Sequence, residues 1–413
     1  QNMPGILDDV IGPVMRGPSS SHTAASWKIA GRAIEILDDK LESALVEFDR
    51  DGAWAPNYRE QGTCMGIEGG LLELEMTDEC MKETAGLLQE KGIVVSYEVS
   101  SFHTDHPNTV RLTLWGRSQH KVQIVAVSTG GGAFEIRTIN DKAVSRDDSG
   151  REGKLPFNDM DSHEKYADET DSDLGQLGRL YEKARLDLSD DELDGKMDEI
   201  IQIIQGSIET GLEGTAFKDR ILGQQSHLID LAEQSGKIKG SIFNEIIKYV
   251  SALMESKSSM EVIVALPTAG SCGTVGGVLH AIAKDINASD SDLRSAYFAA
   301  GIIGVLFAMG PGFSAEAHGC QVECGAASGM AAGALVQIMG GSARHALGAA
   351  SMAIQNMIGL LCDPVADRVE LPCLGKNISA AVNAYSSAIM ARSGFDPVIP
   401  LDQVIQTVSD VSK

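Results

Sequence analysis

Apolar residues recur along this chain with two different periods, and the change between them divides the chain into two parts. In the first part, short runs rich in valine, isoleucine and leucine are typical of β-strands: residues 45–48, 94–99, 110–114 and 122–127. Between the first two runs, residues 62–92 have apolar positions at helical spacing. The first part is therefore predicted to be an α+β domain with an antiparallel sheet.

Beyond residue 180, nearly every segment follows a helical period. The predicted helices cover residues 193–209, 225–235, 242–256, 276–286, 293–309, 325–339 and 378–391. A polar and acidic stretch, residues 139–180, separates the two patterns and is typical of an interdomain connection. We therefore predict an α+β domain over residues 1–155, followed by a larger all-α domain over residues 156–413.

Residues 17–23, Gly-Pro-Ser-Ser-Ser-His-Thr, come directly before the helical pattern of residues 24–37. Backbone N–H groups and hydroxyls at a helix N-terminus favour a carboxylate or a phosphate, because that end carries partial positive charge. The same residues also fit a serine-capped helix start with a solvated histidine. The pattern alone leaves both interpretations open.

Charge and composition exclude some classes of partner. With 34 Lys and Arg against 58 Asp and Glu, the net charge is -24 at pH 7, which disfavours nucleic acid and anionic membranes as partners. The most apolar run, residues 296–310, is shorter than the roughly 20 residues that a membrane span needs. Seven cysteines in 413 residues are typical of free or metal-bound thiols in a reducing compartment, so we expect a cytoplasmic protein.

Three cysteines in the last quarter of the chain are candidate ligands of an inorganic centre. Cys320, Cys362 and Cys373 are 42 and 11 positions apart, unlike the close pairs of a zinc ribbon or a thioredoxin-like site. Three separated thiolates can nevertheless hold one 4Fe-4S cluster and leave one iron free as a Lewis acid. Buried cysteines also occur as small apolar residues, and spacing alone does not separate the two interpretations.

Short motifs recur in a fixed order along almost the whole chain. In the first domain they are residues 9–15, 17–23, 106–109 and 130–132, and in the second they are residues 267–273, 319–323, 362–365, 372–373, 377 and 401–405. Together they resemble the motifs of the iron-sulfur-dependent L-serine dehydratases (L-serine ammonia-lyases), with the β-type domain first and the α-type domain second. The resemblance implies that Cys320, Cys362 and Cys373 hold a 4Fe-4S cluster.

The resemblance also implies a reaction and a set of site residues. An open iron would bind the hydroxyl of L-serine, or of L-threonine, and a base would remove the α-proton, so that the enamine gives a 2-oxo acid and ammonia. Ser21 and His22 are the implied catalytic residues, with either the imidazole or a serine alkoxide as the base. The residues expected to support the substrate or to line its cavity are Ser19, Ser20, Thr23, Asn108, Thr109, Thr268 and Ser271. By analogy alone, a homodimer is a further expectation.

Several positions depart from the family pattern, and they leave more than one substrate possible. The usual His-Gly-Thr-Asp appears as residues 61–64, Gln-Gly-Thr-Cys, and a usual Gly-Leu near the cluster is replaced by Asp367 and Arg368. The guanidinium of Arg368 matches a second carboxylate, which favours a related hydroxy acid such as 2-(hydroxymethyl)glutarate as the alternative substrate. An Arg368 that pairs with Asp367 or Glu370 would not support this alternative. A cluster-binding sensor without catalysis is an alternative of another class.

Overall fold

A six-stranded sheet forms the N-terminal part of the protein. The computed structural model describes residues 3–102, 104–144, 165, 170–217, 219–366 and 368–412. After a short strand β1 (Val14–Arg16), the strands are β2 (Leu41–Asp49), β3 (Val94–Ser100), β4 (Thr109–Gly116), β5 (Lys121–Gly130), β6 (Ala133–Ile139) and β7 (Lys142–Ala143). Their order across the sheet is β3-β2-β4-β5-β6-β7. All four predicted strands are present, and β6 and β7 extend the sheet beyond them.

The sheet is mixed, so the prediction of an antiparallel sheet was wrong at one edge. β2 and β3 run parallel, whereas β4, β5, β6 and β7 are joined by antiparallel pairing. A parallel pair needs a crossover connection, and the chain provides one through helices α2 (Thr63–Leu71) and α3 (Thr84–Lys91). Helix α1 (Ala25–Leu37) packs on β4 and β5 and covers the core face of the sheet.

The second part is helical, as predicted. Its helices are α4 (Leu174–Leu186), α5 (Asp190–Glu213), α6 (Leu228–Gln234), α7 (Ile242–Ser258), α8 (Cys272–Ile286), α9 (Asp290–Ala308), α10 (Ala315–His318), α11 (Cys324–Ile338), α12 (Ala343–Gln355), α13 (Glu370–Arg392) and α14 (Leu401–Val411). Helices α9 and α11 are buried along most of their length, since alanines and glycines let their neighbours approach closely.

The first residues of the chain pack into the helical part rather than onto the sheet. Ile6 and Val10 belong to the helical core, where they contact Gly301 and Gly304 of α9. Strand β1 pairs antiparallel with a strand of the second part, β8 (Val262–Val264). This pairing holds the chain so that residues 17–23 begin at the junction of the two parts. The predicted boundary at residue 155 lies outside the described residues, and the division there stays a prediction.

Helix α9 is the one helix of the described residues whose length and composition would suit a membrane span. Within its most apolar window, 72% of the helix is buried inside the protein. That burial is what a central core helix shows, as the sequence pattern of residues 296–310 predicted.

Candidate active site

A cavity of about 300 Å³ lies where the two parts of the protein meet. The N-terminal part contributes Ser19, Ser20, Ser21 and His22 to its wall, together with Asn57 and Gln61. The helical part contributes Cys320, Cys362 and Cys373, together with Glu316 and Glu323. A larger groove on the N-terminal part, next to the end of α1, contains none of these side chains. The cavity therefore brings together the serine-histidine loop and the three candidate cysteines.

The serine loop is held in place by its own cap and by the helical part. Ser19 accepts a hydrogen bond from the backbone N–H of His22 (3.2 Å), which caps the short helical turn that leads into α1. Ser20 accepts one from the backbone N–H of Ala269 (3.1 Å), in the predicted motif at residues 267–273. Gly17 allows this packing, because a Cβ at that position would collide with the backbone carbonyl of Lys257.

A hydrogen-bond network joins the loop to Glu316. The hydroxyl of Ser21 donates to Oε1 of Glu316 (2.9 Å), and Nδ1 of His22 lies 3.1 Å from the hydroxyls of both Ser19 and Ser21. Because the single hydroxyl hydrogen of Ser21 goes to Glu316, Ser21 can only accept from His22. The network thus assigns the proton of the neutral imidazole to Nδ1 and leaves the lone pair on Nε2.

The second nitrogen of His22 is ready to accept a proton. Nε2 is buried and, among the described residues, has no hydrogen-bond partner. Burial lowers the pKa of His22 below its usual value of 6.5, while the charge of Glu316 and the nearby Asn57 side chain raise it in part. The imidazole is therefore neutral at physiological pH. Its ring lies 5.6 Å from the ring of the buried Trp54.

Glu316 reaches the serine loop through a close approach of two backbones. Gly130, at the turn between β5 and β6, forms a parallel bridge with Phe313, just before α10. Its φ is +99°, and a Cβ there would lie 2.8 Å from the backbone carbon of Phe313. The predicted glycine triplet at residues 130–132 therefore serves as a contact between the two parts, and it places Glu316 opposite Ser21.

Backbone contacts between two loops bring Cys320 next to Cys362. The φ of Gly319 is +77°, and its lack of a side chain lets the backbone pass close to the carbonyl of Leu360. That carbonyl accepts a hydrogen bond from the backbone N–H of Gln321 (3.0 Å). The thiol of Cys320 donates to Cys362, and this bond lowers the pKa of Cys362 to about 7. Cys362 is therefore the more readily ionised thiol of the pair, and the thiolate is the form that binds metal.

The third cysteine lies in the first turns of α13. Burial raises the pKa of Cys373 to about 11. One turn later, the buried Asn377 donates to the carbonyls of Cys373 (2.8 Å) and Gly270 (2.7 Å) and accepts from the backbone N–H of Thr274 (3.1 Å). Asn377 therefore fixes this part of α13 against α8 and the motif at residues 267–273.

Glu323 adds a second carboxyl group to the cavity. Burial and the charge of Glu316 raise its pKa to about 8, although a hydrogen bond from Thr268 opposes the shift. Near neutral pH, this group is therefore mostly protonated and can act as a hydrogen-bond donor.

The three thiols surround the cavity without meeting at a single point. Within the described ranges, no three His, Cys, Asp or Glu side chains come close enough to bind one metal ion. Cys320, Cys362 and Cys373 nevertheless all line the same cavity. Thiols spread around a cavity suit a cluster of several metal ions better than a single zinc ion, which needs four ligands at about 2.0–2.3 Å.

Other predicted site residues lie near the cavity but not in its wall. Thr23, Thr109 and Ser271 donate their hydroxyls to the backbone carbonyls of Gln61, His106 and Leu266, which stabilises the turns around the site. Thr268 is buried beside Ser271 (3.1 Å between hydroxyls). Asn108 is fully buried, and its side-chain amide has no hydrogen-bond partner among the described residues.

Arg368 lies outside the cavity wall. Its guanidinium forms an ion pair with Asp219 (2.8 Å) and a longer one with Glu370 (3.4 Å). Asp367, the other ion-pair partner considered for Arg368, lies outside the described residues. The structure therefore does not bring the guanidinium of Arg368 to the serine loop or to the cysteines.

Sequence reasoning missed Glu316 and Asn57 as wall residues, and it noted Gln61 only as a departure from the family pattern. Asn57 and Gln61 lie in the loop before α2, which has no apolar period. A weak signal for Glu316 was present, because it is an acidic residue four positions before a candidate metal ligand. Its contact with Ser21 depends on a tertiary approach that the sequence pattern does not contain.

Comparisons with known proteins give a consistent result. A profile of the family described as serine dehydratase alpha chain matches residues 72–413 of this chain. The chain is 35% identical to the probable L-serine dehydratase alpha chain of Bacillus subtilis, over 53% of this chain and 73% of that protein. It is also 29% identical to L-serine dehydratase 1 of Escherichia coli, over 96% of this chain and 93% of that protein. Its identity to the L-serine dehydratase of Streptomyces coelicolor is 27%, over 95% and 92% of the two chains.

Proposed function

Because this chain belongs to the serine dehydratase family of lyases, we propose that it converts L-serine to a 2-oxo acid and ammonia. The observation that carries the proposal is that one cavity of about 300 Å³ is lined by both the serine-histidine loop and the three cysteines. A buried basic nitrogen and a set of metal-binding thiols thus face the same small volume, as the elimination of water from a hydroxy amino acid requires.

We propose a 4Fe-4S cluster as the cofactor, held by Cys320, Cys362 and Cys373. The fit rests on the three thiols that frame one cavity and on the lowered pKa of Cys362. When bound, such a cluster supplies a Lewis-acidic iron that has no protein ligand and can accept the substrate hydroxyl. The chain itself supplies the remaining groups.

Proton removal falls to His22 in this proposal. Its Nε2 lone pair is buried and has no partner among the described residues, so it is free to take the α-proton of a substrate in the cavity. Ser21 and Glu316 hold the other ring nitrogen in its protonated form. Ser21 is then a positioning residue, and its hydroxyl does not need to become an alkoxide.

The charges in the wall favour an amino acid over a dicarboxylate. Glu316 and Glu323 both line the cavity, and its described wall contains no lysine or arginine. The α-ammonium of L-serine can pair with Glu316, whereas a second carboxylate beside Glu316 would meet like charge. Arg368, the residue on which the dicarboxylate alternative depended, is paired with Asp219 and Glu370 outside the wall.

Catalysis rather than sensing is favoured by the state of His22. A buried imidazole nitrogen without a partner has a cost in stability, which a sensor would have no reason to keep. An enzyme needs that nitrogen unoccupied until the substrate arrives.

A substrate panel tests the proposal. The protein, reconstituted with iron and sulfide without oxygen, is incubated with L-serine, L-threonine and 2-(hydroxymethyl)glutarate. Ammonia and 2-oxo acid are measured for the two amino acids, and the unsaturated dicarboxylate left by loss of water is measured for the third compound. We expect equal amounts of both products from L-serine, with L-threonine slower because its methyl group enlarges the substrate. Turnover of the dicarboxylate alone would replace this proposal by the alternative, and an inert protein that binds a cluster would favour the sensor.

A further inference from the structure

Lys257 is a buried lysine whose Nζ contacts no acidic side chain in the described part of the chain. It lies in the last turn of α7, its side chain is fully buried (0% exposed), and its Nζ has no hydrogen-bond partner among the described residues. Burying an unpaired ammonium is costly, because the lost hydration is not replaced by a hydrogen bond or an opposite charge. A lysine in this position therefore requires an anion nearby in the working state of the protein.

Lys248, on the same helix, shows the ordinary arrangement. It is also largely buried, but its Nζ forms ion pairs with Asp230 (3.0 Å) and Glu245 (2.8 Å). The dipole of α7 offers Lys257 partial compensation, since the C-terminal end of a helix is negative. No helix carbonyl accepts a hydrogen bond from Nζ of Lys257 in the described part of the chain, so this compensation does not satisfy its donors.

The charge of Lys257 acts on the cysteine side of the cavity. It lowers the pKa values of Cys272, Cys324 and Cys373, against the larger opposite effect of burial. Lys257 is not among the described residues that line the cavity, and its helix α7 packs against α13, the helix that carries Cys373. A bound substrate could not contact it there.

Glu323 is not the counter-charge of Lys257. It feels the charge of Lys257, but no ion pair joins the two side chains, and the pKa of its carboxyl is raised to about 8 rather than lowered. A carboxylate that neutralised a buried lysine would show the opposite shift. The anion that Lys257 requires must therefore be something that the thiols themselves hold.

We propose that Lys257 is the fixed counter-cation of the thiolate-bound cluster, a positioning residue that increases cluster retention and raises the reduction potential. This inference rests on the proposed function, because it needs an iron-sulfur centre at Cys320, Cys362 and Cys373. A 4Fe-4S core bound by three thiolates carries net negative charge, and nearby positive charge in a low-dielectric interior favours such a centre and its reduced form. Lys257 offsets the charge from behind, which leaves the cavity side free for substrate.

The test compares Lys257→Met with Lys248→Met. Without cluster, the Lys257→Met protein should unfold at a higher temperature than wild type, because an unpaired buried charge is gone, whereas Lys248→Met should unfold at a lower one. After anaerobic reconstitution, Lys257→Met should lose iron to a chelator on the order of tenfold faster than wild type. Its cluster should also show a more negative midpoint potential in a spectroscopic titration, and Lys248→Met should match wild type in both.

The results distinguish the counter-cation role of Lys257 from the presence of the cluster. Iron loss and potential equal to wild type in Lys257→Met would overturn the counter-cation role alone, while the cluster proposal would stand. A wild-type protein that takes up no iron and sulfide would overturn both proposals. Lys257→Gln and Lys257→Arg accompany the Met variant: Gln should behave as Met does, and Arg, which keeps the charge, should retain the wild-type potential. Failure of both neutral variants to fold without cluster would also contradict the proposal, which requires that they be stabilised.

Discussion

Ser21 and Glu316 are 295 positions apart in the sequence, yet the hydroxyl of the serine donates a 2.9 Å hydrogen bond to the carboxylate. This contact crosses the junction between the N-terminal part and the helical part. Through Ser21, it determines which nitrogen of His22 carries the proton. The two parts of the chain therefore have to come together before the proposed base is in its active form.

Glu316→Gln tests this contact. The amide can donate a hydrogen bond to Ser21, so the fixed direction of the network is lost, and we expect kcat for L-serine to fall on the order of a hundredfold. Because the charge of Glu316 raises the pKa of His22, the same change should move the acid limb of kcat/KM to lower pH. Steady-state kinetics over a range of pH values measure both effects.

Ser314→Ala is the matched control, since Ser314 donates only a long hydrogen bond (3.3 Å) to the other oxygen of Glu316. It should lower kcat much less. A Glu316→Gln enzyme with unchanged kcat and an unchanged acid limb would show that Glu316 has no part in positioning the base.

The lowered pKa of His22 predicts a pH dependence of both activity and stability. The activity should persist below pH 6.5, because the folded protein keeps the imidazole neutral there. Well above pH 6.5, the imidazole is neutral in the folded and unfolded chains alike, and it adds no pH dependence to the stability. As the pH falls below 6.5, the unfolded chain takes up a proton that the folded protein excludes, so the free energy of unfolding should decrease until the lowered pKa is reached. Urea unfolding of wild type and His22→Gln between pH 5 and 8 measures this contribution, which the variant should lack.

Asn377→Ala should destabilise the protein by about 2 kcal/mol, because the carbonyl of Gly270 and the backbone N–H of Thr274 lose their side-chain partner. The midpoint of denaturant unfolding measures the loss in the cluster-free protein. Thr274→Val removes the hydroxyl that also donates to Asn377 (2.9 Å), so the double variant should lose less than the two single losses together. Strict additivity would mean that the two side chains do not act as one unit.

Arg368→Gln separates the two substrate classes. The ion pairs of Arg368 with Asp219 and Glu370 lie outside the cavity wall, so KM for L-serine should change by less than about twofold, and stability by less than about 1 kcal/mol. A large increase in KM for any substrate would place this guanidinium in the binding site and revive the dicarboxylate alternative.

Local pattern was enough to predict most of the fold. Helices such as Asp290–Ala308 and Cys324–Ile338 have long apolar runs, and periodicity of that kind is a property of adjacent residues. Strand β6 (Ala133–Ile139) escaped prediction because most of its residues are only half-buried and its apolar alternation breaks after Ile136, where the register shifts. The parallel pairing of β2 and β3 was also missed, since a strand's own residues do not record which neighbour it pairs with.

The residues of the candidate site that stand in short sequence motifs could be predicted. Those that reach the site through contacts between segments far apart in the sequence could not. The serine loop and the three cysteines stand out in the sequence, and the structure places them around one cavity. Glu316 gains its significance only because Gly130 lets the segment at Phe313 approach the sheet. Lys257 looks like an ordinary surface residue at the end of an amphipathic helix, and only the packing of Gly17 and α7 shows that it is buried.

The most direct test of the central claim measures cluster content and L-serine turnover in the same anaerobic samples of wild type, His22→Ala, Cys362→Ala and Cys80→Ala. Cys80 is an exposed free cysteine that does not line the cavity, and it serves as the control. We predict that wild type and Cys80→Ala contain iron and sulfide and release ammonia, that His22→Ala keeps the cluster without turnover, and that Cys362→Ala loses both. Full turnover by His22→Ala, or by Cys362→Ala without iron and sulfide, would contradict the account.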